Sequence, residues 1–388
     1  MNNAEKEFII EILKYNINEE KIITLIKNSN INWFNVLGFI SYHRVAGLVY
    51  EKINNINVRL LDFPVFFSTY LTNQAQQIRN DYQLEEIKNI SKCFNRNNVE
   101  FIFLKGSILN NTIFNSGART SNDIDILIKK DSIKRVTNIL NELGYVQGKY
   151  DYKKNKINPF NDEELKLSLE SKGETCPFIK ITNKQTIKTI DVDINFSLDW
   201  TPNYDQKLIN KILKNKIKIK LNEDTYIFSA SIEDNIIELC THLYKDMVLL
   251  DIVKKRKVFD LYKFLDIYYY ISFYLNEINF DKLIEEIKLF NAENYVYFAL
   301  KNLSEIFCDF GNGQDGQIIY LIKTLEKDIK DFGILNTIFD QYNKNEIFIS
   351  DINIKDRIFE YNVINKYTKG RNNEKFNSWI RERNIKYK

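Results

Sequence analysis

Apolar residues recur every three to four positions through the first quarter of the chain. Phe8, Ile9, Ile12 and Leu13 begin the habit, and Ile22, Ile23, Leu25 and Ile26 continue it. Residues 33–53 carry a third such run, which includes His43 and Arg44. This spacing keeps the apolar side chains on one face and predicts amphipathic helices. From Pro64 to about Arg96 the charge is mixed and glycine is absent, so a single long amphipathic helix is expected there.

The period then changes. Apolar or alternating runs at 99–104, 124–128, 178–182 and 188–198 predict strands. Between them, 131–143 reads as a helix, with Asp131 as its N-cap and Gly144 at its C-terminal end. Residues 147–176 are polar and charged and read as a long excursion or poorly ordered loop. Residues 215–229 alternate and turn at Asn222-Glu223-Asp224, the pattern of a hairpin. After Ser231, with Glu233 and Asp234 in the first turn, helical patterns run over 232–247, 257–276, 280–290, 292–309 and 316–331. The expected class is α+β: a small mixed sheet in a core (99–230), an N-terminal helical region (1–98) and a C-terminal helical bundle (231–388). The last twenty residues are basic and weakly patterned.

Composition narrows the function classes. A chain of 388 residues and 46.2 kDa is long enough for two or three packed units. With 55 basic and 52 acidic residues the formal charge is +3, which gives no overall electrostatic reason to bind nucleic acid. The start, MNNAEKEF, has no cationic segment followed by an apolar run, so no signal peptide is expected. No stretch of about 18 uninterrupted apolar residues exists to span a membrane. Cys93, Cys176, Cys240 and Cys308 are scattered without a CxxC pair, against a structural zinc site or a disulfide framework. A cytoplasmic protein is the expectation.

The candidate chemistry lies in FIFLKGSILNNTIFNSGARTSNDIDILI, residues 101–128. An apolar strand runs into Lys105-Gly106-Ser107, and a helix later come Asp123 and Asp125 at the head of a second strand. Carboxylates at i and i+2 on a strand point to one face. Two of them beside a glycine turn suit hard divalent cations held against a triphosphate. Nucleotidyl transfer needs the triphosphate clamped, the attacking hydroxyl in line and the phosphoryl charge neutralised. A third carboxylate usually completes the ion at the nucleophile. TIDVDINFSL offers Asp191 or Asp193, which also share one face. His43 and His242 lie on apolar helices, where a satisfied core histidine is the expected role. Lys245 follows His242 at i+3, from where it could reach a phosphate.

With these residues in place, the chain resembles the bacterial uncharacterised nucleotidyltransferase family of the DNA polymerase β-type superfamily. That family's pattern is an apolar strand, LKG, a short helix, Arg, then DIDLLV. Here it stands as Leu104-Lys105-Gly106, Arg119 and Asp123-Ile124-Asp125-Ile126-Leu127-Ile128. His43 to Leu48, Asp193 to Phe196, Leu239 to His242 and Asp260-Leu261 resemble flanking motifs in the same order. Asn195 stands where the third-carboxylate strand often carries His. The resemblance implies that Ser107 and the amides after Gly106 hold the β/γ-phosphates, and that Asp123 and Asp125 bind both metals. It further implies that Asp193 completes the nucleophile-side metal and helps remove the acceptor's proton, with Arg119 and Lys105 offsetting phosphate charge. The implied enzyme moves an NMP from an NTP to a hydroxyl or similar nucleophile, using Mg²⁺ or alternatively Mn²⁺. Near-neutral charge favours a small metabolite or a peptide or protein as acceptor. The rivals are a protein-modifying or tRNA-modifying toxin, and a catalytically silent nucleotide-binding or scaffold protein.

Overall fold

The computed structural model describes residues 1–56, 63–184, 187–199, 204–221, 225–248, 260–307, 310 and 316–328. The chain divides into two compact units that cut across its linear order. One holds Phe67–Glu238 with Phe273–Ile278; the other holds Met1–Phe66, Leu239–Ser272 and the described chain from Asn279 onward.

The first unit is built on a six-stranded mixed sheet. Its strands are β1 (Phe101–Phe103), β2 (Asp123–Ile128), β3 (Val146–Asp151), β4 (Lys156–Pro159), β5 (Phe178–Ile181) and β6 (Thr189–Asn195), in the order β1-β2-β6-β5-β3-β4. Among the described residues only β2 and β6 pair in parallel; the other pairings are antiparallel. Ile124, Ile126 and Ile128 of β2 and Val192 and Ile194 of β6 are completely buried. Alternate positions of these two strands carry the acids, so one face of the sheet is core and the other carries the carboxylates. Removing a fully buried isoleucine side chain here would cost about 2–5 kcal/mol.

A 34-residue helix, Phe63–Arg96, meets the expectation of one long helix. It brings Gln83 to the Asp123 carbonyl (3.5 Å), Glu86 to Tyr145 and Lys180, and Phe94 edge-on to Phe101. These positions recur every three to eleven residues on one helical face. A short helix, Gly106–Thr112, links β1 toward β2, and Ile133–Glu142 follows β2. Asp131 is not the N-cap of that second helix. Lys130–Ser132 form a 3₁₀ turn ahead of it, and the Asp131 carboxylate accepts from the Ser132 hydroxyl instead. Gly144 does close it, at φ +86°.

Residues 147–176 are ordered, against expectation. They form most of the β3–β4 hairpin and a helix, Asp162–Ser171, with Asn161 and Glu164 making a capping box. Their polarity has a physical reason: β4 is an edge strand and its side chains are exposed or half-buried. Strands Ile217–Lys220 and Tyr226–Ser229 pair antiparallel, as the alternation predicts, while the turn at 222–224 lies outside the described residues.

The second unit is helical among its described residues. Helices Asn3–Ile12, Glu19–Asn28, Trp33–Tyr42 and Ala46–Ile56 come from the start of the chain. The run at 33–53 is broken at Arg44, whose φ is +60°. His43 accepts the Leu261 N–H on Nδ1 at 3.2 Å, which caps the helix Leu261–Tyr274 at its first residue. That gives His43 a structural role. Helices Phe280–Leu289, Glu293–Ile306 and Gly316–Asp328 follow, with Tyr268 stacked on Phe307 at 4.5 Å. No described helix is long and apolar enough to cross a membrane. Cys93, Cys176 and Cys240 are free thiols. Cys308 and the basic tail lie outside the described residues.

Candidate active site

The LKGS segment is shaped by close approach. Leu104 continues the β1 ladder by donating its N–H to the Asp125 carbonyl (3.0 Å). Lys105 then takes φ +46° and ψ −119°, and the helix starts at Gly106. A Cβ on Gly106 would lie 2.5 Å from Ser121 Oγ and 2.7 Å from Arg119 Nη1. Glycine is therefore needed for Arg119 and Ser121 to pack behind the turn. Ser107 is buried, and its hydroxyl has no hydrogen-bond partner. Ser121 Oγ donates to the Asp123 carbonyl (3.2 Å), fixing the start of β2.

The parallel register places Asp123 opposite Asp191 and Asp125 opposite Asp193. Directly opposed residues on parallel strands face the same side, so all four acids project from one face. Their electrostatic neighbours separate them. Partial burial, then the charges of Asp123, Asp125 and Glu174, push the Asp193 carboxyl well above the ordinary range. Asp123 is raised by burial and by Asp125, against the opposing pull of Lys105 and Arg119. Asp191 is raised by burial but answers to Thr189 and Arg79. Its Oδ1 is buried without a hydrogen-bond partner. Asp193 thus groups with Asp123 and Asp125, whereas Asp191 faces a separate polar neighbourhood. At an effective dielectric of about 20, two like charges about 5 Å apart repel by about 3 kcal/mol.

One cation sits inside this group. Lys105 Nζ lies 2.8 Å from Asp125 Oδ1, with both side chains largely buried. Burial works against its charge, but Asp125, Glu238 and Asp123 together hold the ammonium above the ordinary lysine value. Asn195 Nδ2 approaches the same Asp125 oxygen at 3.5 Å and the Asp193 carbonyl at 3.4 Å. Arg119 is buried and donates to the Thr120 carbonyl at 3.3 Å, with its charge felt at Asp123.

Sequence reasoning missed Glu238 and Glu174. Glu238 is buried on the helix Ile232–Val248, between Ile237 and Leu239. A lone carboxylate inside an apolar helical run was the available signal. Glu174 lies in a loop bridged to Asn195 and carried none. Lys245 lies on that same helix, beyond the residue at which the second compact unit resumes.

The donor set is carboxylate oxygen, the chemistry hard divalent cations take. Among the described residues, no three His, Cys, Asp or Glu side chains are already gathered closely enough to hold a metal ion. The acids share a face and repel one another, and the Lys105 ammonium occupies the near side of Asp125. The residues fit a metal in kind, with Lys105 placed where one would compete.

A search of curated proteins finds no match. A protein-family model described as "Uncharacterised nucleotidyltransferase" matches residues 29–308, which takes in the whole sheet, the LKGS turn and both acid pairs. The chain belongs to the uncharacterised nucleotidyltransferase family.

Proposed function

We propose that this nucleotidyltransferase moves an NMP from an NTP to a hydroxyl, or a similar nucleophile, of a small metabolite or a peptide or protein. The observation that carries this reading is the in-register placement of Asp123, Asp125 and Asp193 on one face of the parallel pair β2–β6. Asp123, Asp125 and Asp193 would hold Mg²⁺, or Mn²⁺ in its place, which when bound supplies charge neutralisation on the triphosphate and activates the attacking oxygen.

The chain's own groups divide the remaining work. The buried, unpartnered Ser107 hydroxyl would take a phosphate oxygen. The amides of Ser107, Ile108 and Leu109 already donate to the Leu104 and Lys105 carbonyls, so they do not serve as the phosphate donors that the resemblance implies. Arg119 and Lys105 offset the charge that builds on the leaving pyrophosphate. Asp193 receives the acceptor's proton as the acceptor's oxygen bonds the α-phosphorus and the α–β bridge breaks, releasing pyrophosphate. Asp191, turned to Arg79 and Thr189, supports the sheet face rather than the metal.

Incubation of the protein with each α-labelled NTP, Mg²⁺ and cell lysate tests the reading. Label is expected in a small molecule or a protein band and should fall by about a hundredfold or more in Asp125→Ala. Label in RNA ends would move the acceptor to tRNA. No label in any fraction would overturn the reading.

A further inference from the structure

Lys105 has a backbone that glycine would adopt more cheaply. Its φ of +46° lies in the left-handed region, at a cost of about 1–3 kcal/mol for a side-chain-bearing residue. Four hydrogen bonds hold the turn in that shape. Leu104 donates to Asp125, Ser107 to Leu104, and Ile108 and Leu109 both to the Lys105 carbonyl. Behind it, Gly106 leaves no space for adjustment, since Arg119 and Ser121 fill the position a Cβ would need. From this fixed backbone the side chain carries Nζ to 2.8 Å from Asp125 Oδ1, in surroundings made acidic by Asp123 and Glu238.

Resting on the nucleotidyltransferase reading, we infer that Lys105 is a resident counter-ion that keeps Asp125 from free divalent cations until a nucleotide arrives. The ammonium screens the repulsion of Asp123, Asp125 and Asp193, so this face can stay folded without a metal. A free divalent cation approaching Asp125 meets a positive charge already seated there. A nucleotide triphosphate brings negative charge of its own, to which the flexible lysine stem can turn, freeing Asp125 for the metal that accompanies the nucleotide. Metal and nucleotide then load together. The coupling is reciprocal, so each raises the affinity of the other. Before the nucleotide arrives Lys105 acts on metal loading through Asp125; once it arrives, Lys105 is the phosphate-side charge already assigned to it.

Mn²⁺ titration followed by electron paramagnetic resonance, with and without a non-hydrolysable NTP, reads this directly. The wild type is expected to bind Mn²⁺ at least tenfold more tightly with nucleotide than without. Lys105→Met is expected to bind Mn²⁺ without nucleotide at least tenfold more tightly than the wild type, and to lose most of the nucleotide's enhancement. Lys105→Arg, which keeps the charge, should behave as the wild type. If Lys105→Met does not fold, the wild-type titration decides alone. Wild-type Mn²⁺ binding that is equally tight with and without nucleotide overturns the inference and leaves the enzyme reading standing. Absence of Mn²⁺ binding in every protein, with every NTP, overturns both.

Discussion

Asp193 shows most plainly what a buried, crowded carboxylate on this face costs. Its carboxyl is driven well above the ordinary value by burial and by the charges of Asp123, Asp125 and Glu174. A group whose folded pKa is raised contributes stability that is fully present below its unfolded pKa and is lost as pH rises through the folded one. Metal-free protein should therefore lose stability at this site on going from about pH 4 to neutrality. Asp193→Asn removes the ionisation, so in chelator the variant is expected to melt above the wild type at about pH 7 and level with it at about pH 4. Scanning calorimetry at both pH values checks this; a variant that melts lower at neutral pH would contradict it. Much at this scale was legible beforehand. LKGS and DIDILI named Gly106, Asp123 and Asp125 because turn and strand periods are local. Glu238 stood out only as a carboxylate in an apolar run; its nearness to Lys105 was not legible, since folding makes it across more than a hundred residues.

Among the elements, the long helix Phe63–Arg96 ties itself to the sheet through side-chain hydrogen bonds. Its Glu86 accepts from Tyr145 at 2.7 Å and from Lys180 at 3.0 Å, tying β5 and the residue before β3 to one helical turn. Removing that carboxylate strands a phenol and an ammonium together. Glu86→Ala is expected to cost about 2–3 kcal/mol. Chemical denaturation checks it, and a loss under about 0.5 kcal/mol would show the cluster to be ornamental. The central strands and this helix were readable because each buries a continuous face. The β3–β4 hairpin and the helix Asp162–Ser171 were not, because edge elements lack an apolar run. What marks them is punctuation: Asp151 accepting from Lys153 and Lys154, Asn155 at φ +48°, and the Asn161 capping box.

At the scale of the whole molecule, the two compact units are each assembled from separated stretches of chain. A linear reading of period and composition cannot see that, because it has no term for which distant helices share a core. The near-neutral overall charge likewise hides the local excess of acid around Lys105. That excess is what a cation-dependent site requires, and net charge averages it away. On the proposed reading the β2–β6 acids receive a metal-bound nucleotide. Calorimetric titration of each NTP into the wild type and Asp125→Ala, with Mg²⁺ or Mn²⁺ and with chelator, measures this. Metal-dependent binding of at least one NTP by the wild type is expected, with its loss, by about a hundredfold or more, in a folded Asp125→Ala. Binding of no NTP with either metal, or undiminished binding by the variant, would contradict it.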